Sequence, residues 1–219
     1  MSSNLTSMPE SVFFLTEDGV TIAGDWYSSD GDRFALLLHM MPATKESWAT
    51  LAERLVEQGI SCLAIDLRGH GASTNGGALD YHAFSDAEHQ ASVKDVEAAF
   101  AFLESKGATA ENTRMLGASI GANLAINFAA AKGMPVVVAL SPGLNYHGVK
   151  TADAVRALRQ GQQVLLVASD DDTESAEGSA LLHSMNPSRA LLLVRNGVGH
   201  GTRMLEADPE LTDELVATL

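Results

Sequence analysis

The sequence predicts an α/β fold built on a mostly parallel β-sheet. Short apolar runs alternate with longer stretches of helical periodicity through most of the 219 residues, a pattern typical of repeated strand–helix units. An antiparallel hairpin precedes these units, because two strand-like runs flank Asp18-Gly19, a strong two-residue turn signal. The length fits a single domain, residues 1–219, and no repeat, low-complexity tract or linker divides it.

Eight strands are predicted from apolar runs of strand length that are bounded by turn residues. Continuous apolar runs such as residues 34–39 and 60–65 are expected to be buried on both faces of the sheet, as parallel strands are. The predicted strands are residues 12–16, 20–27, 34–39, 60–65, 113–116, 136–140, 164–168 and 191–194.

The predicted helices lie between or after these strands, and several end at residues that stop helices. Gly59 and Gly107 follow two of them as C-terminal caps, and Gly133 and Pro135 follow a third. Pro209 lies in the first turn of the last helix, where proline is well tolerated. The predicted helices are residues 48–58, 88–106, 120–131, 152–159, 175–185 and 208–219, and residues 66–81 form a loop.

Composition and charge exclude several classes of protein. The 28 acidic residues against 14 Lys and Arg give a formal net charge of −14, which disfavours nucleic acids and anionic membranes as partners. The single cysteine, Cys62, excludes an intramolecular disulfide and favours a reducing compartment. The N-terminus lacks the features of a secretory signal, and no apolar run is long enough to span a bilayer. We therefore expect a cytoplasmic protein, although a chain from which a signal segment had been removed would look the same.

A serine stands on a predicted sharp turn between a strand and a helix. Gly117-Ala118-Ser119-Ile120-Gly121 follows the strand 113–116 and precedes an Ala-rich helix. In this context G-x-S-x-G is typical of a nucleophile whose hydroxyl stands above the sheet edge, and the helix N-terminus favours developing negative charge. A glycine-rich turn with an incidental serine is the alternative. The context favours Ser119 as a nucleophile.

A serine hydroxyl needs a base, and the base needs a carboxylate that orients it. His200 lies between two glycines after the last predicted strand, a position that core packing does not explain; an ordinary loop histidine is the alternative. Asp170, Asp171 and Asp172 follow the strand 164–168, either as a solvated acidic turn or as the source of the carboxylate. The order serine, aspartate, histidine is one of the known orders for such triads.

Acyl transfer also needs two amide donors for the oxyanion. We expect one from Ile120, the residue after the serine. The other is expected from the loop after the strand 34–39, where Met41 is the first choice and Met40 the second. The two methionines are alternatively apolar gap-fillers. Both roles are compatible, because the backbone supplies the hydrogen bond while the side chains line the pocket.

Taken in order, these motifs resemble the α/β-hydrolase family over nearly the whole chain. Residues 167–172 resemble the family's seventh-strand segment, which ends in the catalytic acid; that register selects Asp172 and keeps Asp171 as the alternative. The resemblance implies an eight-stranded, mostly parallel α/β-hydrolase sheet with helices on both faces. The other matching segments are the third strand and oxyanion loop (36–42), the D-x-R-G-H-G-x-S loop (66–73), the nucleophile elbow (117–121) and the histidine loop (199–201).

The sequence departs from the family pattern at two places. Met40 stands where the family usually has a glycine, which narrows the pocket, and the polar residues 173–175 follow the acid where an apolar segment is common. Only a short segment separates the strand 136–140 from the next helix, whereas many family members insert a cap there. We therefore expect no substantial cap domain. The open substrate site is expected to lie near Met40, Pro142, Leu144 and Tyr146.

The resemblance implies a serine hydrolase that needs no metal or organic cofactor. In this hypothesis Ser119 is the nucleophile, His200 the base and Asp172 the acid, and the substrate is a small carboxylic ester. A thioesterase, a peptidase and a haloperoxidase-like enzyme share the same triad, and a catalytically silent binding protein shares the fold. The net charge of −14 ranks a neutral ester above an anionic acyl-CoA thioester.

Overall fold

A computed structural model describes residues 8–219 and contains the predicted sheet. The strands are β1 (Glu10–Leu15), β2 (Thr21–Tyr27), β3 (Arg33–Leu38), β4 (Ile60–Ile65), β5 (Thr113–Ala118), β6 (Val136–Leu140), β7 (Asn145–Tyr146), β8 (Val149–Lys150), β9 (Gln163–Ser169) and β10 (Ala190–Arg195). Eight of them form one sheet in the order β1-β2-β4-β3-β5-β6-β9-β10, and β7 pairs with β8 in a separate hairpin. In the large sheet β2 is antiparallel to both neighbours, and every other pair is parallel. The predicted fold class is confirmed.

Helices cover both faces of this sheet, as predicted. β3 shows the two-sided burial, because Phe34, Leu36 and Leu38 belong to one hydrophobic core while Ala35 and Leu37 belong to the other. Residues of α3 to α6 pack in the first core, and residues of α1, α7 and α8 pack in the second. The helices are α1 (Ala49–Glu57), α2 (Asp86–Gln90), α3 (Val93–Ser105), α4 (Ile120–Lys132), α5 (Ala152–Arg156), α6 (Thr173–Met185), α7 (Arg203–Ala207) and α8 (Pro209–Thr218).

The opening hairpin is present, but its turn is longer than the predicted two residues. The amide of Thr16 donates to the carbonyl of Val20 at 2.9 Å, and the amide of Gly19 donates to the carbonyl of Thr16 at 3.0 Å. Three residues therefore form the turn. Gly19 has φ +80°, the left-handed conformation that ends the common three-residue hairpin loop.

The prediction of one long helix over residues 88–106 is wrong, because α2 and α3 are separate and pack against different partners. The His89 ring of α2 lies 4.2 Å from the His147 ring, in the turn of the β7–β8 hairpin. Asp95 of α3 instead binds the Arg68 side chain, with 2.9 Å between Oδ1 and Nε. Because α2 and α3 pack toward different partners, the helix breaks after Gln90.

The carboxyl ends of the parallel strands meet at one edge of the sheet, where α/β folds place their sites. The segment between β6 and α5, residues 141–151, contains only the β7–β8 hairpin, and no cap domain is present in residues 8–219. In the same part of the chain, no helix is both long enough and apolar enough to cross a membrane.

Two glycine-to-alanine changes are expected to have opposite effects on stability. A Cβ added at Gly121 of α4 would collide with the backbone carbonyls of Leu38 and His39, which cannot rotate away. A Cβ added at Gly178 of α6 would meet its nearest atom at 3.7 Å, an ordinary contact. We expect Gly121→Ala to lower the free energy of unfolding by about 2–3 kcal/mol, and Gly178→Ala to leave it unchanged or raise it by about 0.5 kcal/mol. Urea unfolding of both variants measures this, and an equal loss in both would contradict it.

Candidate active site

Ser119 occupies a strained turn between β5 and α4. Its φ is +55°, a conformation that non-glycine residues rarely adopt, and its side chain is largely buried. The turn is tight because Gly117 and Gly121 lack side chains. A Cβ at Gly117 would overlap the carbonyl of Gly121, and one at Gly121 would overlap that of Leu38. The two glycines of the G-x-S-x-G motif thus allow the turn to pack closely.

The side chains of His200 and Asp172 are joined by a hydrogen bond of 2.6 Å between Nδ1 and Oδ2. Asp171 has other partners: its Oδ1 accepts from the amide of Gly199 at 3.1 Å and from the Ser169 hydroxyl. These donors, the hydroxyl above all, lower the pKa of Asp171. The geometry therefore brings Asp172, and not Asp171, to the imidazole, in the register that the sequence favours.

Two more side chains at the end of β9 hold the loop that carries His200. Asp170 Oδ1 accepts from the amide of Gly197 at 2.8 Å, and Ser169 Oγ accepts from the amide of Val198 at 2.9 Å. The carboxylate of Asp171 adds the bond to Gly199. Three successive amides of the loop are thus bound by side chains of one strand end, so β9 sets the height of His200 above the sheet.

Ser141, which follows β6, is a positioning residue that the sequence interpretation missed. It is fully buried, and its backbone has φ +49°. Its Oγ accepts from the amide of Gly201 at 2.8 Å, and its own amide donates to the carbonyl of Val167 at 2.7 Å. The only signal in the sequence was its place directly after a strand, which many serines share.

The two predicted oxyanion donors have free backbone amides. The N–H groups of Met41 and Ile120 make no hydrogen bond to any residue of the described chain. His39 Nε2 accepts from the amide of Leu67 at 3.0 Å, so its Nδ1 carries the proton and donates to the Met40 carbonyl at 2.8 Å. A trans peptide holds its C=O and N–H on opposite sides. His39 therefore directs the Met41 N–H away from itself.

Tyr146, in β7, lies beside His200. Its ring stands nearly perpendicular to the His200 ring, with 6.5 Å between centroids, and its hydroxyl donates to the carbonyl of Ser141 at 3.3 Å. Within residues 8–219, no direct hydrogen bond joins Ser119 Oγ to His200. Nucleophile–base bonds are often long before substrate binds. The three predicted triad residues thus lie at one edge of the sheet, with one of the two expected bonds formed.

The other residues predicted to line the substrate site differ in exposure. Met40 is only 5% exposed, and a side chain at Gly201 would overlap its sulfur atom, so Met40 packs beneath the histidine loop. Pro142 is buried as well, whereas Leu144 is 37% exposed and lines a cleft of about 350 Å³ beside α6. Their contact with a substrate stays a prediction.

Two further observations concern other sites. A larger groove, of about 490 Å³, lies between α1 and α8 and contains none of the predicted site residues. No cluster of His, Cys, Asp or Glu side chains in residues 8–219 is arranged to hold a metal ion.

Comparisons with known proteins place this geometry in a family. Residues 32–190 match the family described as serine aminopeptidase S33, Hydrolase_4. The chain is similar in structure to the esterase Pf2001 of Pyrococcus furiosus, with 18% identity, a TM-score of 0.79, and coverage of 99% of this chain and 94% of that one. No curated protein matches the sequence.

Two other solved structures share the fold. A predicted CIB-like hydrolase from Thermoplasma acidophilum is 18% identical, with a TM-score of 0.74 and coverage of 97% of this chain and 98% of that one. An esterase from Exiguobacterium antarcticum is 15% identical, with a TM-score of 0.72 and coverage of 95% and 99%. At these identities the likeness establishes a common fold.

The stability of the protein is expected to depend on pH through the buried His39. Burial lowers the pKa of His39 from 6.5 to about 4, so the unfolded chain takes up this proton first as the pH falls. The stability that neutral His39 contributes is present above pH 6.5 and is lost as the pH falls toward 4. Relative to His39→Gln, which cannot titrate, we expect wild type to lose about 2 kcal/mol between pH 7 and pH 5.

Urea unfolding at the two pH values measures this difference. The matched control is His82→Gln, which replaces an exposed imidazole and should keep the wild-type dependence. The expectation is wrong if His39→Gln and wild type lose equal stability on acidification.

Proposed function

Because the chain belongs to the serine aminopeptidase S33 family of hydrolases, we propose that it is a serine hydrolase that cleaves a small carboxylic ester through an acyl-enzyme. One observation carries the proposal: the 2.6 Å bond from His200 Nδ1 to Asp172 Oδ2 at the sheet edge where the strained Ser119 turn also lies. A turn with only a structural role does not require a strained serine beside a hydrogen-bonded histidine–aspartate pair. A nucleophile with its base and an orienting carboxylate requires this arrangement.

In the proposed acylation, Ser119 Oγ attacks the ester carbonyl while His200 Nε2 takes the hydroxyl proton. Asp172 accepts the Nδ1–H of the imidazole and so leaves Nε2 as the base. The tetrahedral oxyanion binds the amides of Met41 and Ile120, which have no other partner in the described chain. The intermediate then collapses, and the alcohol leaves with the proton from His200.

In the proposed deacylation, His200 takes a proton from water, which attacks the acyl carbonyl. The second tetrahedral intermediate expels Ser119 Oγ, which recovers its proton from His200, and a carboxylic acid leaves. All steps use the same two amides and the same proton carrier. No step requires a metal or an organic cofactor.

The substrate class is inferred from the site's surroundings and charge. Residues 141–151 carry only a short hairpin in place of a cap, so the site is open to small substrates. The net charge of −14 opposes anionic substrates such as acyl-CoA. A thioesterase, a peptidase and a haloperoxidase-like enzyme use the same triad, and a silent binding protein keeps the fold without turnover. They are alternative outcomes of the test.

The test of this function uses the intact chain and a panel of substrates. We expect p-nitrophenyl esters with short acyl chains to be cleaved with higher kcat/KM than acyl-CoA thioesters of the same chain length. A fluorophosphonate probe should label wild type, and Ser119→Ala should abolish both labelling and turnover because the attacking oxygen is gone.

The control is the fold of Ser119→Ala, which circular dichroism should find unchanged. If folded wild type resists the probe, or if Ser119→Ala is labelled equally, the serine-hydrolase proposal is wrong. Preferential cleavage of thioesters or of peptide bonds would instead favour one of the other hydrolases.

A pair of aspartate variants tests the identity of the acid. Asp172→Asn leaves the hydrogen-bond geometry largely intact but presents the wrong partner to the imidazole, so we expect kcat to fall about 10⁴-fold. Asp171→Asn retains an oxygen that can accept from Gly199 and should cost less than about tenfold. Steady-state kinetics with one ester decide between them. The reverse order of effects would make Asp171 the acid.

A further inference from the structure

One buried carboxylate joins the two loops that follow the neighbouring strands β3 and β4. Asp66 comes directly after β4 and is fully buried. Its Oδ1 accepts from the amide of Lys45 at 2.9 Å, and its Oδ2 accepts from the amide of Ala72 at 2.9 Å. Lys45 ends the loop after β3, whereas Ala72 belongs to the loop after β4. Asp66 therefore links the backbones of the two loops.

The loop after β3 carries Met41, whose amide is a proposed oxyanion donor, and it is held on both sides of that residue. Before Met41, the amide of Leu67 donates to the His39 ring at 3.0 Å. After Met41, the amide of Lys45 donates to the Asp66 carboxylate. Two successive residues after β4 thus fix the two ends of the loop, and Met41 lies between them.

The surroundings of Asp66 suit an ionised acceptor. Two amides donate to it from different loops, and a carboxylate accepts with both oxygens whereas a carboxamide has only one. The Lys45 ammonium lies 3.7 Å from Oδ2 of Asp66 and 3.7 Å from Oδ2 of Asp25, so it offsets the buried charge. Gly71 leaves room for the carboxylate, because a Cβ there would overlap it.

We propose that Asp66 is a positioning residue, which aligns the Met41 amide with the oxyanion by binding the far end of its loop. The inference rests on the proposed function and deepens it. An oxyanion donor is effective only when it points to the place where negative charge develops. Asp66 therefore stabilises the transition state through the loop and contributes little to binding of the uncharged ester.

A pair of substitutions at Lys45 isolates the hydrogen bond to Asp66. Lys45→Pro removes the N–H together with the side chain, whereas Lys45→Ala removes the side chain and keeps the N–H. Proline fits this position, because Lys45 begins the 3₁₀ helix Lys45–Trp48 and Thr44 before it is extended, with φ −135° and ψ 177°. Within residues 8–219, the Lys45 amide donates to Asp66 alone. The two variants therefore differ in that bond.

With p-nitrophenyl acetate, we expect kcat to be about tenfold to hundredfold lower in Lys45→Pro than in Lys45→Ala, and KM to differ less than about threefold. Loss of one oxyanion donor costs about 10²–10³ in kcat, and misalignment of a donor costs less. The inhibition constant of phenylboronic acid, which forms a tetrahedral anion on a serine nucleophile, should rise by a similar factor. Partial unfolding would lower the apparent kcat but leave that constant unchanged, so the constant separates positioning from a merely structural role.

Asp66→Asn is the second variant, because its carboxamide cannot accept from both amides, and it should raise the same inhibition constant. The matched control is Ser73→Ala in the loop after β4. It removes a buried hydroxyl that donates to the Asp66 carbonyl at 2.8 Å and accepts from the amide of Ala23 at 2.9 Å. Ser73→Ala should lower the free energy of unfolding and keep the wild-type inhibition constant.

The proposal is overturned if Lys45→Pro and Lys45→Ala have equal inhibition constants, or if Asp66→Asn keeps the wild-type constant as Ser73→Ala does. Failure of the proposed function is a separate result. In that case folded wild type itself cleaves no ester and forms no boronate adduct on Ser119.

Discussion

The backbone conformation of Ser119 is the constraint on which the rest of the site depends. A serine at φ +55° carries strain on the order of 1–3 kcal/mol and persists only where its surroundings determine it. Here the chain leaves β5 and enters α4 with Gly121 pressed against the carbonyl of Leu38. The turn cannot relax unless α4 separates from β3, which is buried on both faces. Packing of the sheet thus holds Ser119 in its strained conformation.

The loop that carries His200 is held mainly by hydrogen bonds, because its glycines have no side chains to pack. Side-chain acceptors at the ends of β6 and β9 bind its amides one by one. The three consecutive aspartates have different partners. Asp170 and Asp171 accept hydrogen bonds from backbone amides of the loop, and Asp172 binds the imidazole of His200. The sequence alone would also allow this acidic stretch to be a solvated turn. In the structure it positions the loop by accepting hydrogen bonds from it. These hydrogen bonds add to the apolar contacts of the loop, in which Val198 packs against the core and Met40 lies beneath Gly201.

Sequence reasoning succeeded where one residue pattern has one structural meaning. The apolar run 60–65 coincides with β4, and the G-x-S-x-G motif predicted the sharp turn observed at Ser119. It failed where the deciding contact is distant in the chain. Ser141 binds the amide of Gly201, and His89 packs on His147; neither pairing leaves a local signal. The two-residue strands β7 and β8 are too short for periodicity to reveal, so the sequence predicted Tyr146 near the substrate site but not the hairpin that carries it.

The β7–β8 hairpin, which stands where a cap would, is bound to the helix that follows the proposed nucleophile Ser119. Asn123 lies one helical turn after Ser119 on α4 and binds both sides of the segment 143–149, while Asn127 binds the carbonyl of Lys150 at 2.9 Å. A separate cap can open and close over a substrate, but a hairpin bound to α4 moves only with α4. In the proposed hydrolase, substrate choice therefore depends on fit to the space that Tyr146 and the loop after β6 leave near Ser119.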